Sequence, residues 1–191
     1  MKPKKELKER LTMFNTEKTS KNIERTNNVF ITLIEKPARK VLIRRGIKAE
    51  DYFTYCEEVG CDFWERLREM AHEPLNPSPD GLFHEPICMW LPQKYIIPNT
   101  SVYVQGIEVE INYADDIPEG DDIIELPKAK YLMFQGEPFK DENFGQAIQA
   151  IWGTIEKYNP KVLGYEWDIE NPRIQLEPRG ERGYIELVAV K

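Results

Sequence analysis

An internal repeat limits the possible fold of this chain more than any other feature of its sequence. The segment EKPARKVLIRRG, residues 35–46, matches ELPKAKYLMFQG, residues 125–136, with five identities in twelve positions at a single offset of 90 residues. The identical pairs are Glu35 and Glu125, Pro37 and Pro127, Lys40 and Lys130, Leu42 and Leu132, and Gly46 and Gly136. A repeat of this kind indicates one supersecondary unit that occurs twice and buries its apolar faces jointly.

Helical patterns follow both repeated segments. Apolar side chains recur there every three or four positions, which is typical of one buried helix face. The first stripe consists of Tyr52, Cys56, Val59, Phe63, Leu67 and Met70, and the second of Phe144, Ile148, Ile151, Ile155 and Tyr158. Asn159-Pro160 is predicted to end the second helix, because proline disfavours helical geometry in the residue before it.

Two strand candidates follow each helix, at residues 87–91 and 102–113 in the first copy and at 164–176 and 184–190 in the second. Apolar and polar residues alternate over 107–113, which predicts a strand with one face in water. The sequence therefore predicts an α+β fold. It consists of two strand-helix-strand-strand repeats with pseudo-twofold symmetry, an antiparallel sheet with helices on one face, and a cleft between the repeats.

The charge distribution separates a basic tail from an acidic body. Residues 1–26 carry eight Lys or Arg against four Glu, and since the whole chain has a net charge of −7, the rest carries −11. We interpret 1–26 as an N-terminal tail or linker and 27–191 as one ligand-binding domain, with repeats at 27–114 and 122–191. An acidic body repels phosphate, so no direct nucleic-acid binding by residues 27–191 is expected.

Other features of the sequence indicate the cellular compartment of the protein. No apolar run approaches the roughly 20 residues needed to cross a bilayer, and the N-terminus lacks the apolar middle of a signal peptide. We therefore expect a cytoplasmic protein with no membrane partner. Its three cysteines are expected to be reduced, since a disulfide framework is uncommon in that compartment.

Glu186 is the charged residue of the last strand candidate, YIELVAV, whose two faces are otherwise apolar. A buried carboxylate must take up a proton, find a partner or bind a cation, because burying it unpaired is costly. This makes Glu186 a candidate for ligand binding. The alternative is that the strand lies at the sheet edge, where a charge discourages aggregation.

Glu166 is the second candidate carboxylate, and it lies between two aromatic residues in the sequence GYEW. Strand alternation places it either in the cleft or in water. Aromatic residues on elements that could meet between the copies are the further ligand-binding candidates, since ring faces and carboxylates both attract cations. These residues are Trp64, Trp90, Tyr103, Tyr165 and Trp167. Each of them could instead belong to the core.

The sequence points to no metal site and no cofactor. His72, His84 and Cys88 could coordinate a metal, but they lie in or beside a proline-rich stretch without a matching second pair. The glycine-rich phosphate loop, the zinc-protease helix and the nucleophile elbow are all absent from the sequence.

Several segments resemble the GyrI-like ligand-binding domain at the C-terminal end of AraC-family transcription regulators. These are RTNNVFITLIEKPARKVLIRRG, DYFTYCEEVGCDFW, YVQGIEV and RGYIELVAVK, and the resemblance covers about residues 26–191. It implies two strand-helix-strand-strand units around a shared cleft. It also implies a cleft glutamate, surrounded by aromatic rings, that receives lipophilic cations; Glu186 matches this position best and Glu166 second.

The resemblance leaves the cellular role open, because the DNA-binding helices of AraC-type regulators have no counterpart in residues 1–26. The leading hypothesis is an effector-binding protein in transcription regulation, with multidrug-like recognition of an apolar or cationic small molecule. Its signal would pass to a separate DNA-binding partner or through a homodimer. The second hypothesis is a hydrolase of strained cyclopropane-containing toxins, with Glu186 or Glu166 as general base. A third is inhibition of a protein target by the acidic body.

Overall fold

The computed structural model describes residues 23–26, 28–60, 62–70 and 80–191. The predicted basic tail or linker lies outside the described residues up to residue 22, and its last residues, 23–26, form a strand. The strands are β1 (Ile23–Thr26), β2 (Val29–Lys36), β3 (Arg39–Arg45), β4 (Ile87–Trp90), β5 (Tyr103–Glu110), β6 (Asp122–Leu126), β7 (Ala129–Gln135), β8 (Arg173–Leu176) and β9 (Ile185–Val190). The α-helices are α1 (Tyr52–Val59), α2 (Asp62–Met70) and α3 (Phe144–Lys157).

The strands of the described residues form one antiparallel sheet in the order β1-β2-β7-β9-β8-β4-β5-β3-β6. In this order β7, β9 and β8 of the second copy mirror β3, β5 and β4 of the first. Strands of the two copies pair at the centre of the sheet, where β8 and β4 place Arg173 opposite Trp90, and also at β2–β7 and β3–β6. Because β9 lies between β7 and β8, the alternative of an edge strand around Glu186 is wrong.

The three described α-helices cover one face of this sheet. Ile148, Ile151 and Ile155 of α3 pack with Leu132 and Phe134 of β7, among others. On the other copy, side chains of α1 and α2 pack on β3, β4 and β5. The predicted α+β fold, with an antiparallel sheet and helices on one face, is confirmed.

The first helical stripe covers two helices, where the periodicity predicted one. The helix α1 begins at a capping box in which Asp51 accepts a hydrogen bond from the Thr54 backbone, and it ends at Gly60, whose φ is 86°. That positive φ suits glycine, which has no Cβ, and it turns the chain before α2. The apolar spacing is preserved across the break between α1 and α2, which explains why the sequence pattern predicted a single helix.

The face of the sheet away from the helices is also buried, and it contains an ion cluster. Glu108 of β5 accepts hydrogen bonds from Arg39 Nε at 2.6 Å and from the Phe83 backbone at 2.8 Å, and its other ion pair is with Lys36 Nζ at 2.8 Å. The prediction that residues 107–113 have one face in water is therefore wrong at Glu108, which is 2% exposed. The strand also ends at Glu110, before the predicted residue 113.

Curvature of the sheet closes this face. Arg39 NH2 donates to Tyr131 OH at 3.3 Å, although β3 and β7 are five places apart in the strand order. In a flat sheet with strands ~4.8 Å apart, these strands would be separated by more than ~20 Å. The sheet therefore bends until β3 and β7 enclose a common core.

The pKa values in the cluster follow from burial and charge. Burial alone would raise the pKa of the Glu108 carboxyl, but the positive charges of Lys36 and Arg39 outweigh it and hold the pKa below the usual 4.5. Burial lowers the pKa of the Lys36 ammonium to about 8, despite the opposing attraction of Glu108. The carboxylate thus holds two buried cations in place.

Acidification is expected to remove the stabilisation that Glu108 provides. Since the pKa of Glu108 is lower in the fold than in the unfolded chain, this stabilisation is present above about pH 4.5 and is lost as the pH falls through the folded value. Urea unfolding from neutral to acidic pH tests this expectation against Glu108→Gln. The free energy of unfolding should fall more steeply with acid in the wild type, and parallel curves would contradict it.

Candidate functional site

A cavity of about 410 Å³ lies on the helical face, where the two copies meet. The helices α1 and α2 form one wall and α3 the other, while Trp90 of β4 and Gln175 of β8 contribute from the sheet. Among the described residues, its aromatic lining consists of Tyr52, Phe53, Trp64, Trp90, Phe144, Trp152 and Tyr184. A ligand there would be surrounded mainly by ring faces and edges.

Three of the aromatic residues predicted from sequence belong to this region. Trp64 and Trp90 line the cavity directly. Tyr103 lies behind the wall, with its ring centroid 5.0 Å from that of Trp90, and its hydroxyl donates to Gln175 Oε1 at 3.2 Å. Tyr103 therefore supports two cavity residues and does not line the cavity itself.

Glu186 is fully buried beside the cavity, and its carboxylate already has partners. Its Oε1 accepts hydrogen bonds from Trp152 Nε1 and Tyr184 OH, both at 2.6 Å. Its Oε2 accepts one from Arg173 Nε at 2.5 Å and forms an ion pair with the same guanidinium. Of the outcomes expected from the sequence, namely protonation, a partner or a ligand cation, the structure shows a partner.

Arg173 brings its positive charge between two rings that line the cavity. Its guanidinium carbon lies 5.0 Å from the ring centroid of Trp90 and 5.8 Å from that of Trp152, which are cation–π distances. The side chain is 32% exposed, whereas that of Glu186 is 0% exposed. Arg173 therefore lies between the buried carboxylate and the solvent.

A second ion-pair group reaches the cavity through Glu177. This residue lines the cavity and pairs with Arg68 of α2 and, at 2.9 Å, with Arg179. Arg179 also approaches the buried Glu85, whose carboxylate accepts two hydrogen bonds from Arg182 at 2.9 Å. Glu177 and the buried Glu186 are thus matched by arginines of the chain, whereas the carboxylate of Asp51, which also lines the cavity, accepts hydrogen bonds from Thr54.

The structure does not bring the remaining candidates to the cavity. Glu166 is at the surface, with its side chain 66% exposed and 3.5 Å from Lys161 Nζ. Tyr165 and Trp167 pack against the hydrophobic cluster between α3 and the far half of the sheet. Trp167 forms an isolated bridge with Val190, so the predicted strand at 164–176 shrinks to β8.

Several cavity residues were absent from the candidates drawn from sequence. Phe53, Trp152 and Phe144 belong to the helices whose buried stripes were recognised, but the stripes were interpreted as core. Phe53 is 63% exposed and Trp152 is 45% exposed, which is unusual for large apolar side chains. Arg173 carried no signal in the sequence, because a charged residue at the start of a strand is commonly solvated.

The groups beneath the cavity are poor candidates for nucleophiles. Burial raises the pKa of the Cys88 thiol to about 12. Burial, together with the neighbouring negative charge of Glu186, also raises the pKa of the Tyr184 hydroxyl well above its usual value. Both groups therefore remain protonated at neutral pH, and the Tyr184 hydroxyl donates a hydrogen bond to Glu186. Within the described residues there is no group of three His, Cys, Asp or Glu that could hold a metal ion.

Comparison with known proteins supports the fold. No family model and no curated protein matches the sequence significantly. The C-terminal domain of EcmrR superposes with a TM-score of 0.51 at 12% identity, over 84% of this chain and 96% of that domain. A Staphylococcus aureus MU50 protein assigned to bacterial transcription regulation gives 0.49 at 15% identity over 84% and 97%, and SAV2435 bound to tetraphenylphosphonium gives 0.48 at 14% identity over 84% and 92%.

At these identities the likeness establishes the fold alone. The chain shares the fold of the EcmrR C-terminal domain, which is consistent with the GyrI-like domain that its sequence resembles. In the part of the chain that the structure describes, no helix is long and apolar enough to cross a membrane.

Proposed function

We propose that this protein binds an aromatic, apolar or cationic small molecule in the cavity between its two copies. The observation that carries the proposal is the aromatic lining of a cavity of about 410 Å³, a volume suited to a small organic ligand. Side chains from both copies line it, among them Trp64 on α2 and Trp152 on α3. Binding would therefore change how α1 and α2 of the first copy are held relative to α3 of the second.

The proposed role is that of an effector-binding protein in the cytoplasm, related to the ligand-binding domains of AraC-type regulators. The signal would be passed to a separate DNA-binding protein or through a second copy of this chain. The net negative charge of residues 27–191 supports a separate DNA-binding protein, since these residues would repel nucleic acid. Trp64 and Trp90 form the proposed site with the other cavity residues, and Glu186 lies buried beside it.

The hydrolase hypothesis has less support at this site. A general base needs an oxygen that can accept a proton from water within hydrogen-bonding reach. Both Glu186 oxygens are engaged by Trp152, Tyr184 and Arg173, and the exposed Glu166 lies away from the cavity. Binding without turnover is therefore the function that the site supports best.

Filling the cavity is expected to weaken binding without harming the fold. Gly145 of α3 contributes to the cavity wall, and a Cβ at this position would meet no atom within 4 Å. Gly145→Phe should therefore place a ring in the cavity and weaken binding at least about tenfold, since the ligand loses that volume. Calorimetry with a panel of aromatic compounds, including tetraphenylphosphonium and 4-tert-butylphenol, measures the loss.

Gly153→Phe is the matched control, because Gly153 lies on the same helix, has equally open surroundings and is not part of the cavity lining. Both variants should keep the wild-type melting temperature or exceed it, since glycine is unfavourable within a helix. Equal affinity in the two variants, or no binding by the wild type across the panel, would remove the proposed function.

A further inference from the structure

Arg173 occupies the place where a ligand cation would be expected. In a site built from a buried carboxylate and aromatic rings, a cation is held between the rings and against the acid. The Arg173 guanidinium has this position, since it contacts Glu186 and lies within 6 Å of the ring centroids of Trp90 and Trp152. The charge-binding part of the site is therefore filled by the chain itself.

We propose that Arg173 is an internal cation that determines ligand charge, so that the cavity selects uncharged aromatic molecules over cations of the same shape. This inference rests on the proposed function, because it concerns the ligand of that same cavity. It assigns a specificity role to Arg173 and makes Glu186 the anchor of that arginine in place of a direct ligand contact.

Electrostatics gives the reason for the selection. A ligand cation beside Trp90 or Trp152 would lie close to the guanidinium, and a second positive charge at such a distance is repelled. The carboxylate of Glu186 cannot compensate for both charges, because Arg173 already holds its Oε2. An uncharged aromatic molecule meets neither difficulty and can still use the ring faces of the cavity.

The position of Arg173 also allows it to be displaced. It is the first residue of β8, its side chain is 32% exposed, and its charge lies on the outer side of the buried Glu186. A cation could bind only after this guanidinium moved towards solvent and gave up its bonds to the carboxylate. Removing Arg173 should therefore reverse the charge preference and leave the cavity walls unchanged.

A pair of isosteric probes measures the preference directly. The compounds 4-tert-butylphenol and (4-hydroxyphenyl)trimethylammonium have the same shape and differ by one positive charge. Titration followed by NMR of the Trp152 indole N–H gives the ratio of their dissociation constants, at a pH where both phenols are neutral. In the wild type the cation should bind about tenfold more weakly than the uncharged probe.

The variant Arg173→Met keeps an unbranched apolar side chain and removes the charge. It should improve cation affinity by more than about tenfold, so that the cation binds more tightly than the uncharged probe, whose affinity changes less than about threefold. Adding Glu186→Gln in the same chain removes the attraction of the carboxylate as well, so the ratio should rise from below one to close to one. Arg45→Met is the matched control, since Arg45 pairs with Asp122 on β6 away from the cavity, and its ratio should equal the wild-type ratio.

The double variant keeps the test decisive if Arg173→Met alone does not fold, because removing both charges leaves no unpaired buried ion. In the double variant, the dissociation constant of the cation divided by that of the uncharged probe should be near one. The same ratio is about ten in the wild type, and this difference supports the proposal. An unchanged ratio in every variant that binds, or tighter cation binding by the wild type, overturns it. Failure of the proposed function has a different result, since neither probe would then bind any of the proteins.

Discussion

Replacing Glu108 by leucine is expected to lower the free energy of unfolding by about 3–5 kcal/mol, because it leaves two buried positive charges without a negative counter-charge. Lys36 and Arg39 are both 0% exposed, and each makes an ion pair with this carboxylate. The variant also removes the acceptor for the Phe83 backbone N–H. An apolar residue of similar size cannot replace these interactions while the two cations remain.

Urea unfolding at neutral pH measures this loss. The control is Glu125→Gln on β6, where the side chain is 69% exposed and lies 3.9 Å from Lys40, so a change below about 0.5 kcal/mol is expected. A triple variant, Lys36→Met with Arg39→Met and Glu108→Leu, should recover most of the stability because no buried charge remains. A loss below about 1 kcal/mol for the single variant would show that the cations find water or other acceptors.

Gly106→Ala is expected to cost about 3 kcal/mol or more, which is large for the addition of one methyl group. A Cβ at this position would lie 2.2 Å from the Leu42 carbonyl oxygen and 2.9 Å from Ile43 Cγ2. The first of these atoms belongs to the backbone of β3, which pairs with β5. Because a side chain cannot turn away to relieve this contact, the two strands would have to separate locally.

The matched substitution is Gly153→Ala in α3, where a Cβ meets nothing within 4 Å. Alanine is the better helix former, so this variant should gain about 0.5–1 kcal/mol. Thermal and urea unfolding of both variants provide the comparison. If the urea concentration at the midpoint of unfolding were the same for Gly106→Ala and the wild type, strands β3 and β5 would have to be packed less closely than the structure shows.

The features predicted correctly from sequence depend on short-range patterns. The stripe beginning at Phe144 predicted α3 almost to its observed end, and the repeat predicted the strands that meet at the centre of the sheet. Trp64 and Trp90 were predicted at the cleft because they lie on elements that could meet between the copies, and both line the cavity. The break at Gly60 was missed, since the apolar spacing continues through it.

The errors concern charged residues whose partners are distant in sequence. Glu108 is 69 residues from Arg39, and the alternation around it gave no sign that curvature of the sheet buries its face. Glu186 was recognised as buried, but its partner Arg173 is brought beside it only when β8 pairs with β9. Glu166 remained ambiguous because its surroundings depend on whether a strand forms there.

The sequence by itself determined the duplicated α+β scaffold, the helical faces and the supply of aromatic residues, because periodicity and turn chemistry act over a few neighbouring positions. Only the tertiary structure decided which carboxylates are paired and which aromatic rings line the cavity. Those outcomes depend on distances between residues far apart in the chain. A carboxylate looks the same in sequence whether an arginine, a ligand or water faces it, and its surroundings in the fold decide between them.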